Sequence, residues 1–276
     1  MTAITERDVP FEGTTIHLYE GGEGFPICLF HGSGTGAATL SNFRAILGPL
    51  ASTFRVIAAD LVGYGQSGLK PAEPYFDMAM WSRQVAHVIG LADAPRVGLI
   101  GHSLSGALVL KAAAICPAVA GVVTTGTMGV AAPRRHGSRG WVFPETQDQL
   151  LAQVRNTVTD PSLIDTAELD RRRAVLDRPG YRDYFTRMFD GQQESFIGAS
   201  AVTAGELAAI RCPAILFHGN DDRSFAPEAT SIPLARGIAD ADVVLLANCA
   251  HSVALERPER FLDIVTPFFR RCATAA

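Results

Sequence analysis

Short apolar runs alternate with longer amphipathic ones along most of this chain. Pro26 to Phe30, Phe54 to Ala59, Val97 to Ile100 and Gly121 to Thr125 are brief, nearly continuous apolar segments, the pattern of buried strands, and Thr15 to Tyr19 alternates as a strand does. Leu40 to Leu50, Met78 to Leu91 and Leu104 to Ile115 carry helical patterns between and after them. That succession predicts parallel strands joined by crossover helices. The pattern changes after Met128: residues 133–205 hold Pro133-Arg134-Arg135, Arg171-Arg172-Arg173 and many acidic and amide side chains in helical arrangements, with no buried strand. The alternation then returns with the strand Ala214 to Gly219, a helix from Glu228 to Ile238, the strand Asp242 to Ala247 and a last helix from Pro258 to Arg271. The expectation is an α/β core of residues 1–132 and 206–276, its mostly parallel central sheet flanked by helices, interrupted by a helical cap at 133–205.

Composition narrows the ligand. Hydrophobic residues make up 47 % of the 276 residues and charged ones 19 %, which fits an ordinary folded chain. A formal net charge of −4 leaves no basic surplus to neutralise phosphates, so nucleic acid is not an expected partner and a small-molecule substrate is. The cysteines Cys28, Cys116, Cys212, Cys249 and Cys272 are scattered, with no C-x-x-C pair and no His/Cys spacing suited to zinc; they read as reduced thiols of a cytoplasmic protein without a metal. The N-terminus lacks a basic segment followed by an apolar core, and no stretch reaches membrane-spanning length, so neither signal peptide nor membrane association is expected. Gly63 to Gly68 matches a dinucleotide fingerprint only in part and has no P-loop lysine, so no cofactor is expected. A homo-oligomer is compatible with all of this.

Candidate chemistry concentrates where the third apolar run ends, in Gly101-His102-Ser103-Leu104-Ser105-Gly106. A serine on a tight strand-to-helix turn needs small neighbours, and the helix behind it aims its amides at the reacting centre. Gly101, Ser105 and Gly106 meet the first need, although Ser105 stands where the strict G-x-S-x-G pattern has glycine. A nucleophilic serine requires a base, and the base an orienting acid, each at a strand end. His251, in Asn248-Cys249-Ala250-His251-Ser252 after the last strand, suits the base. Asp221 or Asp222, after the strand before it, suits the acid, with Asp222 preferred. His31-Gly32-Ser33-Gly34 follows the first buried strand and can direct backbone amides at an oxyanion, with the His31 ring bracing the loop.

Together with Asp60-Leu61-Val62-Gly63-Tyr64-Gly65-Gln66-Ser67 and His218-Gly219-Asn220-Asp221-Asp222, these motifs make the whole chain resemble the α/β-hydrolases. The resemblance implies Ser103, Asp222 and His251 as the triad and the amides of Ser33 and Leu104 as the oxyanion hole. More narrowly, the chain resembles the meta-cleavage product hydrolases, which cut a carbon–carbon bond in 2-hydroxy-6-oxo-hexa-2,4-dienoates formed by aromatic ring fission. Ser41-Asn42-Phe43, Gly126-Thr127-Met128-Gly129-Val130 and the cap segments Glu168 to Arg173, Pro179-Gly180-Tyr181 and Met188-Phe189 carry that likeness. It implies Asn42 at the dienoate end of the substrate and a cap arginine, Arg173 by best match and Arg172 as the alternative, on its carboxylate. Gly34, His102 and Ser252 join these as substrate-binding candidates. The family has asparagine where this chain has His102 and tryptophan where it has Ser252. The competing structural readings are a helix cap for Asn42 and a solvated charge for Arg173. Two other activities share the scaffold: a carboxylesterase or lactonase on a small ester, and a non-catalytic ligand receptor or cofactor-independent oxygenase.

Overall fold

The computed structural model describes residues 3–131 and 141–274. Pro133-Arg134-Arg135 and the opening of the expected cap lie outside them. Eight strands form one sheet: β1 (Thr5–Phe11), β2 (Thr14–Gly21), β3 (Pro26–Phe30), β4 (Arg55–Ala59), β5 (Val97–His102), β6 (Val119–Thr125), β7 (Ala214–Gly219) and β8 (Ala241–Leu246). Their order across the sheet is β1-β2-β4-β3-β5-β6-β7-β8. The first two pairings are antiparallel and all others parallel, as the strand–helix alternation predicts.

The eleven helices described are α1 (Thr39–Ala51), α2 (Met78–Leu91), α3 (Leu104–Ile115), α4 (Gln147–Arg155), α5 (Thr166–Leu176), α6 (Tyr181–Met188), α7 (Gln193–Ala199), α8 (Ala204–Ala209), α9 (Ser231–Arg236), α10 (Val253–Glu256) and α11 (Pro258–Thr274). Alternate residues of each central strand enter opposite halves of the core. Cys28, Phe30, Ile57, Ala59 and Leu99 pack with α2, α3 and α9, while Ile27, Leu29, Val56, Ala58 and Ile100 pack with α1 and α11. Helix α11 buries Phe261, Val265, Phe268, Phe269 and Cys272, a single stripe laid along the sheet.

Strand β1 escapes hydropathy reading because only Val9 and Phe11 of its residues are buried; charge and a proline suit a sheet edge. The expected helix from Glu228 to Ile238 is instead a 3₁₀ turn at Pro227–Ala229 followed by α9. Thr230, at φ −131° and ψ −83°, breaks the two apart, and Pro233 sits in the first turn of α9, where no amide hydrogen is needed.

Helices α4 to α7 lie at the carboxyl ends of the parallel strands, and hydrogen bonds fix them to the loops there. Arg172 donates to Thr35 O (2.7 Å), Tyr181 to Gly63 O (3.0 Å) and Arg178 to Gly65 O (2.8 Å). Helix α8 begins just before the expected return to the core at residue 206, and Lys111–Glu206 (3.1 Å) ties it to α3.

Candidate active site

Between this helical layer and the strand ends is a cavity of about 540 Å³. Ser103, His102, His251, Ser33, Gly34, Asn42 and Ser252 all line it, gathered from loops after β3, β5 and β8 and from α1.

Ser103 has φ 54° and ψ −116°, a conformation that side-chain-bearing residues avoid. The turn is held there by Ser103 N–H to Thr125 O (2.9 Å), and by Ser103 O accepting from the amides of Gly106 and Met128 (3.0 Å each). A Cβ at Gly106 would lie 1.9 Å from Thr127 Oγ1, so glycine is compulsory at that close approach. Ser105 is tolerated because its hydroxyl donates to His31 O (2.5 Å) and ties the serine turn to the loop after β3. Leu104 is the first residue of α3, so its amide has no intrahelical acceptor and is available to an oxyanion.

The two candidate acids are placed differently. His251 Nδ1 donates to Asp222 Oδ2 at 2.7 Å, whereas the Asp221 side chain is exposed. Carboxylates only accept, so the proton is on Nδ1 and Nε2 is the free base. Asp222 Oδ1 accepts from the amides of Ser224 (2.7 Å) and Phe225 (3.1 Å). A second histidine, His218, meets Oδ2 at 3.1 Å and also Phe225 O (3.3 Å) through Nε2, while its Nδ1 faces Ser231 Oγ (2.7 Å). Two acceptors at Nε2 fix the proton there, so His218 donates to Asp222. Burial alone raises the Asp222 pKa, but the charge of His251 and hydrogen bonds from His218 and His251 outweigh it and hold the carboxyl well below its usual range. Gly126, at φ +51°, lets the chain pass His251, where a Cβ would come within 2.8 Å of Nδ1.

His31 is buried, donating from Nδ1 to Gly32 O (2.7 Å) and accepting at Nε2 from Leu61 N (2.9 Å). It braces the loop. His102 bonds Thr125 O (3.1 Å) and Thr125 Oγ1 (2.9 Å) through Nδ1. Since a carbonyl cannot donate, that nitrogen carries the proton, and burial, followed by the charge of His251, lowers the His102 pKa well below the usual imidazole value. The neutral ring has only a lone pair on Nε2 to offer, where asparagine would offer donor and acceptor.

Asn42 is not a helix cap: Ala38 precedes α1, and Asn42 Oδ1 accepts from Gly32 N (3.1 Å), leaving its NH₂ on the cavity. The two candidate cap arginines part company. Arg173 points away to Asp177 (3.2 Å), and Arg172 lines the cavity. Successive helical residues diverge by roughly 100°, and the buried stripe Leu169, Val175, Leu176 of α5 includes position 172. That stripe is visible in the sequence and was the available signal. Also missed was Glu168, buried one turn earlier, which receives Arg44 (2.9 Å), Arg171 (3.1 Å) and Arg172 (2.6 Å). Arg44 belongs to α1, so the cluster joins core to cap.

Among the described residues no group of three or more His, Cys, Asp or Glu side chains is arranged to hold a metal ion, and no helix is long and apolar enough to cross a membrane. A strained serine after a central strand, a histidine paired with a buried aspartate and an amide free at a helix start thus meet at one cavity. In agreement, residues 28–264 match the Alpha/beta hydrolase family, to which this chain belongs. It is similar to 2-hydroxymuconate semialdehyde hydrolase of Pseudomonas sp. strain CF600, at 28 % identity over 98 % of this chain and 95 % of the relative. With 2-hydroxy-6-oxo-2,4-heptadienoate hydrolase of Pseudomonas putida strain F1 it shares 30 % identity over 93 % of each. Among solved structures, 2-hydroxy-6-oxo-6-phenylhexa-2,4-dienoate hydrolase from Rhodococcus sp. strain RHA1 superposes with a TM-score of 0.88 at 25 % identity, over 98 % of this chain and 100 % of that one.

Proposed function

We propose that this hydrolase cleaves a carbon–carbon bond of a 2-hydroxy-6-oxo-dienoate, a meta-cleavage product of aromatic degradation, with Ser103 as nucleophile, His251 as base and Asp222 as orienting acid. The observation that carries the reading is an anion-binding end on the cavity that holds Ser103. Three guanidinium groups surround the single carboxylate of Glu168, leaving a positive surplus. Arg172 spends Nε on Glu168 and Nη1 on Thr35 O, so Nη2 remains for a substrate carboxylate, beside the NH₂ of Asn42. A small neutral ester has no use for that end; a dienoate does.

The chemistry follows from this placement. Arg172 and Asn42 hold the carboxylate, and His102 Nε2 accepts from the 2-hydroxyl of the enol. Ketonisation, by moving that proton to C5, creates a 2-oxo-3-ene that can receive electrons. Attack of Ser103 on the C6 carbonyl, with its proton taken by His251, places negative charge on oxygen at the amides of Ser33 and Leu104. Collapse breaks C5–C6, the electron pair is delocalised through the ene to the 2-oxo oxygen, and the leaving dienolate takes the proton held by His251, which restores the base. Water activated by His251 then releases the acyl group as a carboxylic acid. Helices α4 to α7 act as a lid that excludes bulk water.

The test uses coloured 2-hydroxy-6-oxo-6-phenylhexa-2,4-dienoate and, separately, p-nitrophenyl butyrate. Wild-type protein should bleach the dienoate and Ser103→Ala should not, while Arg172→Ala raises the dienoate KM by about tenfold or more, the worth of a charged hydrogen bond. Hydrolysis of the ester with no bleaching would overturn the reading in favour of an esterase.

A further inference from the structure

The wall of the cavity formed by α4 and the residues just after it is polar, with Gln149, Gln153, Asn156 and Thr157 on it, and one of its acceptors is left without a donor. Gln153 lines the cavity and donates from Nε2 to Val142 O at 3.0 Å. The carbonyl can only accept, which fixes the amide orientation and leaves Oε1 as the acceptor. That Oε1 is buried and has no hydrogen-bond donor. Nearby in the same wall, Thr157 gives its hydroxyl hydrogen to Val154 O (2.7 Å), and Ser252 gives its own to Thr157 Oγ1 (3.2 Å). Ser252 Oγ therefore also presents lone pairs. A buried acceptor left unpaired is costly, and the cost disappears if the ligand brings the missing hydrogen.

Resting on the proposed carbon–carbon cleavage, we infer that the group carried on C6 of the substrate bears a hydrogen-bond donor, a hydroxyl or an uncharged amino group, which pairs with Gln153 Oε1 and Ser252 Oγ. Gln153 and Ser252 line the same cavity as Arg172, Asn42 and Ser103, so a substrate held by its carboxylate with C6 at Ser103 shares that enclosure with this wall. The wall then selects donor-bearing acyl groups over their hydrocarbon counterparts. A site built around buried acceptors rejects the analogue that leaves them unpaired.

The experiment compares kcat/KM for the 6-phenyl dienoate with that for each ring-hydroxylated isomer and each ring-methoxylated isomer, in wild type, Gln153→Met and Ser252→Ala. Dividing each wild-type ratio by the variant's ratio removes the electronic effect of the ring substituent. The expected result is a preference of about 10- to 100-fold for at least one hydroxyphenyl isomer, absent for its methoxy ether and reduced in both variants. No preference for any hydroxylated isomer, or a preference untouched by both substitutions, overturns the inference. The same acyl groups presented as p-nitrophenyl benzoate and p-nitrophenyl hydroxybenzoates give the ratio independently of carbon–carbon cleavage. Selectivity among esters with no dienoate turnover would refute the proposed reaction and leave the donor-seeking wall standing. Turnover of dienoates without selectivity would do the reverse.

Discussion

Ser103 is held in a backbone conformation that glycine would occupy without strain, and this separates two roles of one side chain. Ser103→Ala removes the hydroxyl but keeps the strained Cβ, whereas Ser103→Gly removes both. The alanine variant should be inactive with stability near that of wild type. The glycine variant should be equally inactive yet more stable by about 1 kcal/mol, the relief of strain less the entropy of a freer unfolded chain. Urea denaturation of the three proteins reads the difference, and equal midpoints for alanine and glycine would contradict the strain. Residues of this kind mark the boundary of what spacing conveys. Asp221 and Asp222 are chemically identical neighbours, and only the path of the loop after β7, with Asp221 N–H on Cys249 O and Asp222 turned inward, tells them apart. His218 reads as an ordinary strand residue because its contact with Asp222 joins a strand to the turn that follows it. Arg172 could have been chosen from the phase of its apolar neighbours, since a run of three arginines fixes no face by itself.

At the level of elements, the helical layer is anchored to the loop that carries His251. Glu256, in α10, accepts from Ala250 N (2.8 Å) with one oxygen and from Thr159 N and Thr159 Oγ1 (2.6 Å each) with the other. Ser252 N–H adds a bond to Thr157 O (3.0 Å). One carboxylate thus ties the His251 loop to the segment that follows α4. Glu256→Ala should destabilise the protein by about 3 kcal/mol, with the Ala250 and Thr159 amides losing their acceptor while the Thr159 hydroxyl keeps Asn248 O (3.0 Å), and should lower kcat more than it raises KM. Thermal denaturation and steady-state kinetics check the pair of effects; a stability loss with kcat intact would mean that the histidine loop keeps its place unaided. Elements whose own residues mark them, such as α2 with its apolar stripe, α3 apolar on nearly every side and the strands buried on both faces, were legible almost to the residue. Those whose burial comes from tertiary contact were not: β1 is a charged edge strand, and the helix expected from Glu228 is split at Thr230.

For the molecule as a whole, burial of neutral imidazoles couples stability to pH. Desolvation holds His31 below its usual pKa and His102 well below it. The unfolded chain takes up protons at these positions near pH 6.5, the ordinary histidine value, while the folded chain does not. Stability is therefore full above that pH and declines as pH falls through and below it. Asp222, depressed in the folded state, adds a loss in the same direction once pH drops beneath the ordinary carboxylate range. Urea midpoints should fall between pH 7 and pH 5, and His102→Asn, with nothing to titrate, should flatten that slope; an unchanged slope would remove His102 from the account.

The sheet order also governs when in its own synthesis the protein becomes reactive. The strained serine follows the central strand β5, whereas Asp222 follows β7 and His251 follows β8, at the far edge of the sheet. A nascent polypeptide that has emerged through α7 already contains the hydroxyl and has neither partner to deprotonate it. With the proposed triad, reactivity is expected only once β8 has docked, and a chain released after α7 should leave p-nitrophenyl esters untouched.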